Sequence, residues 1–145
     1  MVNNDILSRV FRYISFKPRT KQEVRKYLTR FNVSDEEVEK IIDYLSSNNL
    51  LDEDFVKSSY IDSRVSRGFG RRYIKHKLSS RGIEVEDGEI HFDLDRIVDV
   101  VLKRYRSYFG SEENLKLRSR IFNFLSYRGF TKDEINLVLK KIFGR

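Results

Sequence analysis

The chain has 145 residues, 39% of them hydrophobic, with no cysteine, one proline and a formal net charge of +7. That length suits one domain, or a few small helical units sharing a continuous core, and leaves no room for a large catalytic architecture. The missing cysteine excludes disulfides, thiolate zinc sites and cysteine nucleophiles, and sparse Pro and Gly with 35% charged residues favour helices over many short strands.

From Met1 to Ser15 the apolar residues are interrupted by Asn3, Asn4, Asp5, Arg9 and Arg12. This fits neither a signal peptide nor a membrane span, so a soluble, cytoplasmic protein is expected. Leu7, Val10, Phe11 and Ile14 make a helical stripe, and Val24, Tyr27, Leu28 and Phe31 make the next. Between them lies the proline, and Thr20 followed by Glu23 has capping-box spacing. Ser34 precedes Asp35, Glu36 and Glu37, acids that suit the positive end of a third helix with core stripe Val38, Ile41, Ile42 and Leu45.

A fourth helix, beginning near Asp52, puts Phe55, Val56, Ser59, Tyr60 and Ser63 on one face, where the small serines would let a neighbouring helix approach closely. Gly68-Phe69-Gly70 then opens a helix whose inward stripe is Ile74, Leu78 and Arg81. Arg72, Lys75, His76 and Ser79 fall on its opposite face, exposed and available to a partner. The glycine pair is either a plain turn or, beside Arg71 and Arg72, a set of free backbone donors for a phosphate or carboxylate. Glu84 to Phe92 is acidic and forms at most a short, Gly-weakened helix. Leu94, Ile97, Val98, Val101, Leu102 and Tyr105 mark a long helix that follows it.

The pattern repeats. Leu28 to Val33, Leu78 to Ile83 and Leu125 to Phe130 each place a Leu five residues before an apolar residue, with Val24, Ile74 or Ile121 four positions before that Leu. Gly82 and Gly129, with Asn32 as their counterpart, stand where a helix end wants a left-handed backbone. Thr131 parallels Ser34, and Ile135, Val138, Leu139 and Ile142 reproduce the spacing of the third helix. The expected fold is all-α: three tandem three-helix repeats, residues 1–50, 51–92 and 93–145, forming an elongated, curved array. Such units are too small to bury much apolar surface alone and depend on stacking.

Charge is unevenly placed. Arg64, Arg67, Arg71, Arg72, Lys75, Lys77 and Arg81 form an acid-free run, and a second basic run extends from Lys103 to Lys132 through Arg118, Arg120 and Arg128. Seven acids between Glu84 and Asp99 separate them. A polyanion or an acidic protein groove is the natural counterpart of these basic surfaces, the bland alternative being a solvated face. Tyr60, Phe69, Tyr73, Tyr105 and Tyr108 interleave with the cations, as in single-strand binders, although rings at helical spacing are more often core. Tyr73 and Phe69 are the rings expected to be partly exposed. His76 and His91 lack metal-ligand spacing, and no enzyme chemistry, cofactor or metal is expected.

Leu51-Asp52-Glu53-Asp54-Phe55, Tyr60-Ile61-Asp62-Ser63-Arg64, Gly68-Phe69-Gly70, Ile74, Leu78 and Arg81-Gly82-Ile83 together resemble the central signature of the RecX family. Tyr127-Arg128-Gly129-Phe130 is similar to the signature of its last repeat, and Thr20-Lys21-Gln22-Glu23-Val24 to the helix start of its first. The likeness spans nearly the whole chain in order. Arg71 stands where the family often has proline, adding a positive charge at a surface position, and residues 84 to 92 are unusually short and acidic for a third helix. The resemblance implies a cytoplasmic, non-enzymatic, monomeric regulator that lies in the groove of a RecA filament on DNA. It would suppress ATP hydrolysis and strand exchange in homologous recombination, DNA repair and the SOS response. Expected contact residues are Arg64, Arg67, Arg71, Arg72, Lys75, Arg118, Arg120 and Arg128, with single-stranded DNA bound weakly and without sequence preference. The alternative is a direct nucleic-acid-binding module of helix-turn-helix type, resembling residues 5 to 50, although Glu23, Glu36, Glu37, Glu39 and Asp43 make a poor recognition face.

Overall fold

The computed structural model describes residues 4–110 and 113–144, which form eight α-helices and no strand. They are α1 (Asn4–Phe16), α2 (Lys21–Leu28), α3 (Asp35–Ser47), α4 (Glu53–Ser66), α5 (Arg71–Ser80), α6 (Leu94–Tyr105), α7 (Asn114–Tyr127) and α8 (Lys132–Phe143). The acidic segment after α5 contributes one 3-10 turn, Asp87–Glu89, as its glycine and charge require. No helix among the described residues is long and apolar enough to cross a membrane.

Helix starts follow side-chain chemistry. The Thr20 hydroxyl accepts from the Glu23 N–H at 3.2 Å while the Glu23 carboxylate accepts from the Thr20 N–H at 2.9 Å. Thr131 and Glu134 form the same reciprocal box, and the Ser34 hydroxyl accepts from the Glu37 N–H. Each cap contributes about 1 kcal/mol.

Helix ends explain the repeated Leu spacing. Asn32, Gly82 and Gly129 are left-handed, with φ of 52°, 86° and 96°. At the two glycines the chain reverses so that the Ile83 N–H reaches the Leu78 carbonyl at 2.9 Å and the Phe130 N–H reaches the Leu125 carbonyl at 3.1 Å. This Schellman geometry brings the apolar residue after the glycine back over the Leu five positions earlier. Leu28, Leu78 and Leu125 are fully buried, so the three repeat positions are equivalent in environment.

Contacts divide the chain into two compact units, Met1–Ser59 with Leu78–Glu84, and Tyr60–Lys77 with Val85–Arg145. The first unit's core is Val10, Val24, Leu28, Ile41, Ile42, Leu45 and Leu51. In the second, α6 and α7 pack on α8 around Ile97, Val101, Leu117, Ile121, Phe124, Leu125, Phe130, Ile135, Val138 and Leu139.

The serine face expected of α4 is not a packing face. Ser59 and Ser63 are exposed and Phe55 is 55% exposed; of the expected face Val56 is buried, and α4 also buries Ile61, which lies outside it.

Candidate functional site

Two joints organise the functional surface, one inside each unit. In the second unit the start of α5 crosses the turn between α7 and α8. The Gly70 N–H donates to the Arg128 carbonyl at 2.8 Å, and the Arg72 N–H donates to the Gly129 carbonyl at 3.1 Å. A Cβ on Gly70 would overlap the Gly129 carbonyl carbon, and one on Gly129 would lie 2.5 Å from the Tyr73 nitrogen. The Gly-x-Gly and Arg-Gly-aromatic motifs, separate in sequence, are therefore two halves of one backbone contact. This overturns the anion-site reading of residues 68–70, because carbonyls of the facing turn already occupy donors at this helix start.

In the first unit the start of α2 meets the turn after α5 in the same manner. The Thr20 hydroxyl donates to the Arg81 carbonyl at 2.6 Å, and a Cβ on Gly82 would overlap the Gln22 side chain. Arg81 then turns inward, donating to both Glu23 oxygens at 3.0 and 3.3 Å and to the Pro18 carbonyl at 3.1 Å. Burial pushes the Glu23 carboxyl up, but the hydrogen bonds from Arg81 and Thr20 and the Arg81 charge hold it below the ordinary glutamate value of 4.5.

Arg128 occupies the position of Arg81 and has no such acid. Its guanidinium donates to the Arg67 carbonyl at 2.9 Å and lies over Phe69 at 4.0 Å and Phe124 at 4.8 Å. Arg104 covers Phe124 at 4.4 Å, and Arg64 lies between Tyr60 at 5.0 Å and Phe69 at 5.6 Å. Phe69 stacks on Tyr73 at 4.4 Å. Ring and cation thus alternate from Tyr60 to Arg104. The pattern arises because Tyr60 and Arg64 are four apart on α4, Phe69 and Tyr73 four apart into α5, and Arg120 and Phe124 four apart on α7 with Arg128 four further on at its C-cap.

Among the described residues no carboxylate pairs with Arg64, Arg104 or Arg128. Burial, and then the neighbouring Arg104 charge, hold the Arg128 guanidinium below the ordinary arginine range. The buried Nε of Arg64 has no hydrogen-bond partner. Burial also raises the Tyr60 phenol.

The other expected contact residues separate into distinct roles. Arg67 is exposed. Arg71 is half-buried rather than at the surface: it donates to the Asp87 and Ile90 carbonyls, covers Phe92 at 5.1 Å and lies 3.7 Å from the Glu134 carboxylate. Lys75 is not an unengaged cation, since it pairs with Asp87 at 2.8 Å, and the exposed Arg72 is tied to the Phe130 carbonyl at 2.9 Å. Arg72, His76 and Ser79 are exposed as the helical spacing indicates, and the acidic segment folds back on α5 to pair with Lys75 alone of that face. Arg118 lies over Phe143 at 4.9 Å and Arg120 over Tyr108 at 5.4 Å. Phe69 and Tyr73 are half-buried as expected, while Tyr108, at 39% exposure, is more open than the sequence indicated. His76 is exposed, and no group of His, Asp or Glu among the described residues is arranged to hold a metal. Arg104 and Phe124 were missed as site residues; the i, i+4 spacing of Arg120, Phe124 and Arg128 is a signal for Phe124, whereas Arg104 on α6 reaches that ring from a distant segment.

Fold and joints together define an all-helical repeat protein with a basic, aromatic surface. The model of the first three-helix domain of RecX matches residues 7–45 and that of the third matches residues 92–139, together more than half of the chain. The regulatory protein RecX of Lactococcus lactis subsp. lactis is 31% identical over 140 residues, covering 90% of this chain and 52% of the relative. That of Yersinia enterocolitica is 27% identical over 160 residues, covering 93% and 96%. The chain spans about half the length of the Lactococcus and Streptococcus relatives it matches. The crystal structure of RecX from Lactobacillus salivarius has the same fold, with a TM-score of 0.78 at 19% identity over 95% of this chain and 94% of that one. A second crystal structure of regulatory protein RecX gives 0.71 at 22% identity, covering 90% and 69%. The chain belongs to the RecX family.

Proposed function

We propose that the chain is a non-enzymatic, cytoplasmic, monomeric regulator that binds the RecA filament on DNA and restrains its ATP hydrolysis and strand exchange. The observation that carries this reading is similarity along nearly the whole chain to relatives named regulatory protein RecX. The basic surfaces support it, since a filament with its DNA presents phosphates and acidic grooves. Residues 1–50, 51–92 and 93–145 act as three repeats. Contacts come from Arg64, Arg67, Arg71, Arg72, Lys75, Arg118, Arg120 and Arg128, with Arg64, Arg67 and Arg128 foremost because no carboxylate among the described residues pairs with them. A helix-turn-helix reader of duplex sequence is disfavoured, because the exposed face of α3 carries Asp35, Glu36, Glu39 and Asp43.

The test is co-sedimentation with RecA filaments against bare single-stranded DNA at matched salt, with DNA-dependent ATP hydrolysis measured in parallel. The protein should pellet preferentially with filaments and lower hydrolysis. Equal pelleting with bare DNA and unaltered hydrolysis would contradict the proposal.

A further inference from the structure

The first unit has a groove of about 390 Å³ walled by the end of α1, residues 17–19 and residues 49–55. Ile14 packs against the core, but Phe16, Leu50 and Phe55 are 78%, 44% and 55% exposed along this one groove. Apolar residues exposed singly are ordinary on a protein surface, whereas three large ones lining one concavity mark a place where something apolar docks. Pro18, the only proline in the chain, has its φ fixed by its ring, so the wall it belongs to loses little freedom on binding. Charge selects the occupant. Lys17 is exposed, and no carboxylate among the described residues pairs with it. Arg19 donates to the Tyr13 carbonyl at 3.2 Å and lies over the Tyr13 ring at 3.9 Å, again with no carboxylate partner among those residues. Asp52, the one acid in the lining, accepts from the Phe55 N–H at 3.1 Å at the start of α4. The groove thus offers apolar surface beside uncompensated positive charge, and its complement is an apolar side chain flanked by carboxylates. Nucleic acid would answer the cations but would press polar sugar and phosphate against Leu50 and Phe55. An anionic lipid surface would also answer them, but would leave the concavity unfilled.

We propose that this groove of the first unit docks an acidic protein segment, seating an aliphatic or aromatic side chain among Phe16, Leu50 and Phe55 and a neighbouring carboxylate on Lys17 and Arg19. None of the contacts named for the filament lies here, so the groove is a separate protein-docking surface that goes beyond the regulatory reading. The apolar anchor supplies the affinity, and the charged rim fixes orientation and speeds encounter.

The experiment is fluorescence anisotropy on the whole chain with a short labelled peptide that alternates aspartate and leucine. The comparators are the same peptide with asparagine for aspartate and with serine for leucine. The aspartate-leucine peptide should bind about tenfold or more tighter than either, with affinity falling as salt rises. Phe16→Ala and Lys17→Glu, both at exposed positions, should leave melting unchanged and each weaken that binding about tenfold. Lys17→Arg should retain it, and Leu115→Ala, equally exposed at 78% but on α7, should change nothing. Equal affinity for the three peptides, no measurable binding of any, or full binding by Phe16→Ala would overturn the groove as a docking site. Binding of oligo(dT) or of anionic phospholipid vesicles that Phe16→Ala abolishes would overturn it as well, by assigning the surface to nucleic acid or lipid. The same preparations are assayed on RecA hydrolysis. Inhibition without peptide binding overturns the groove and spares the regulatory reading, whereas peptide binding without inhibition supports the groove and removes that reading.

Discussion

The turns Arg81-Gly82 and Arg128-Gly129 have the same backbone, with left-handed glycines and Schellman hydrogen bonds, and each receives the start of a helix. Their arginines have opposite fates. Arg81 is held by Glu23, the acid that also caps α2, and serves the fold. Among the described residues Arg128 meets only carbonyl oxygen and rings, with the Arg104 charge nearby, so its charge is left for something outside the chain. What separates a structural cation from an interaction cation is therefore the chemistry of the facing helix start: Thr20-Lys21-Gln22-Glu23 in one joint, Gly70-Arg71-Arg72-Tyr73 in the other. Arg81 and Glu23 close the first joint with charged hydrogen bonds, whereas in the second the Gly70 and Arg72 backbone and the Arg72 guanidinium donate to carbonyls, and the acid there, Glu134, lies by Arg71.

The largest expected effect is at the second joint. Gly70→Ala forces a Cβ into backbone that cannot yield, and unit two should lose about 4 kcal/mol or more in chemical denaturation. Gly82→Ala, whose added atom meets the flexible Gln22 side chain, should cost about 1–2 kcal/mol, mainly from its positive φ. Equal losses would mean the joints are built alike after all. Next come Leu28→Ala, Leu78→Ala and Leu125→Ala, each fully buried and each expected to cost about 3 kcal/mol. A variant among them that melts like the parent would remove its repeat from the alignment.

Smaller effects distinguish the arginines. Glu23→Gln should cost about 1–2 kcal/mol at neutral pH by weakening the hydrogen bonds to Arg81. Because folding depresses the Glu23 carboxyl, its contribution is fully present above the ordinary value of 4.5 and is lost as pH falls below it through the folded-state value. A pH series of denaturation curves should show this loss in the parent and not in Glu23→Gln. Arg104→Gln, at an exposed residue of α6, should stay within about 0.5 kcal/mol of the parent.

Much of this was legible in sequence for a physical reason: helical stripes, caps and left-handed glycines are local, and Thr20, Ser34, Thr131, Gly82 and Gly129 do what their chemistry dictates. The site was legible only as a region. Whether Lys75, Arg81 or Arg128 is neutralised depends on which distant segment folds against it, here Asp87, Glu23 or Phe69 with Phe124. No periodicity encodes that choice. The serine face of α4 failed for the same reason, since small residues permit a close approach without supplying a neighbour.

The central claim is that the two equivalent arginines differ in availability, and Arg81→Lys against Arg128→Lys in co-sedimentation with RecA filaments tests it most directly. Both changes keep the charge and remove the guanidinium plane. With each variant confirmed folded, Arg128→Lys should weaken binding about tenfold and Arg81→Lys should stay within about twofold of the parent. Equal losses, or a loss confined to Arg81→Lys, would contradict the account.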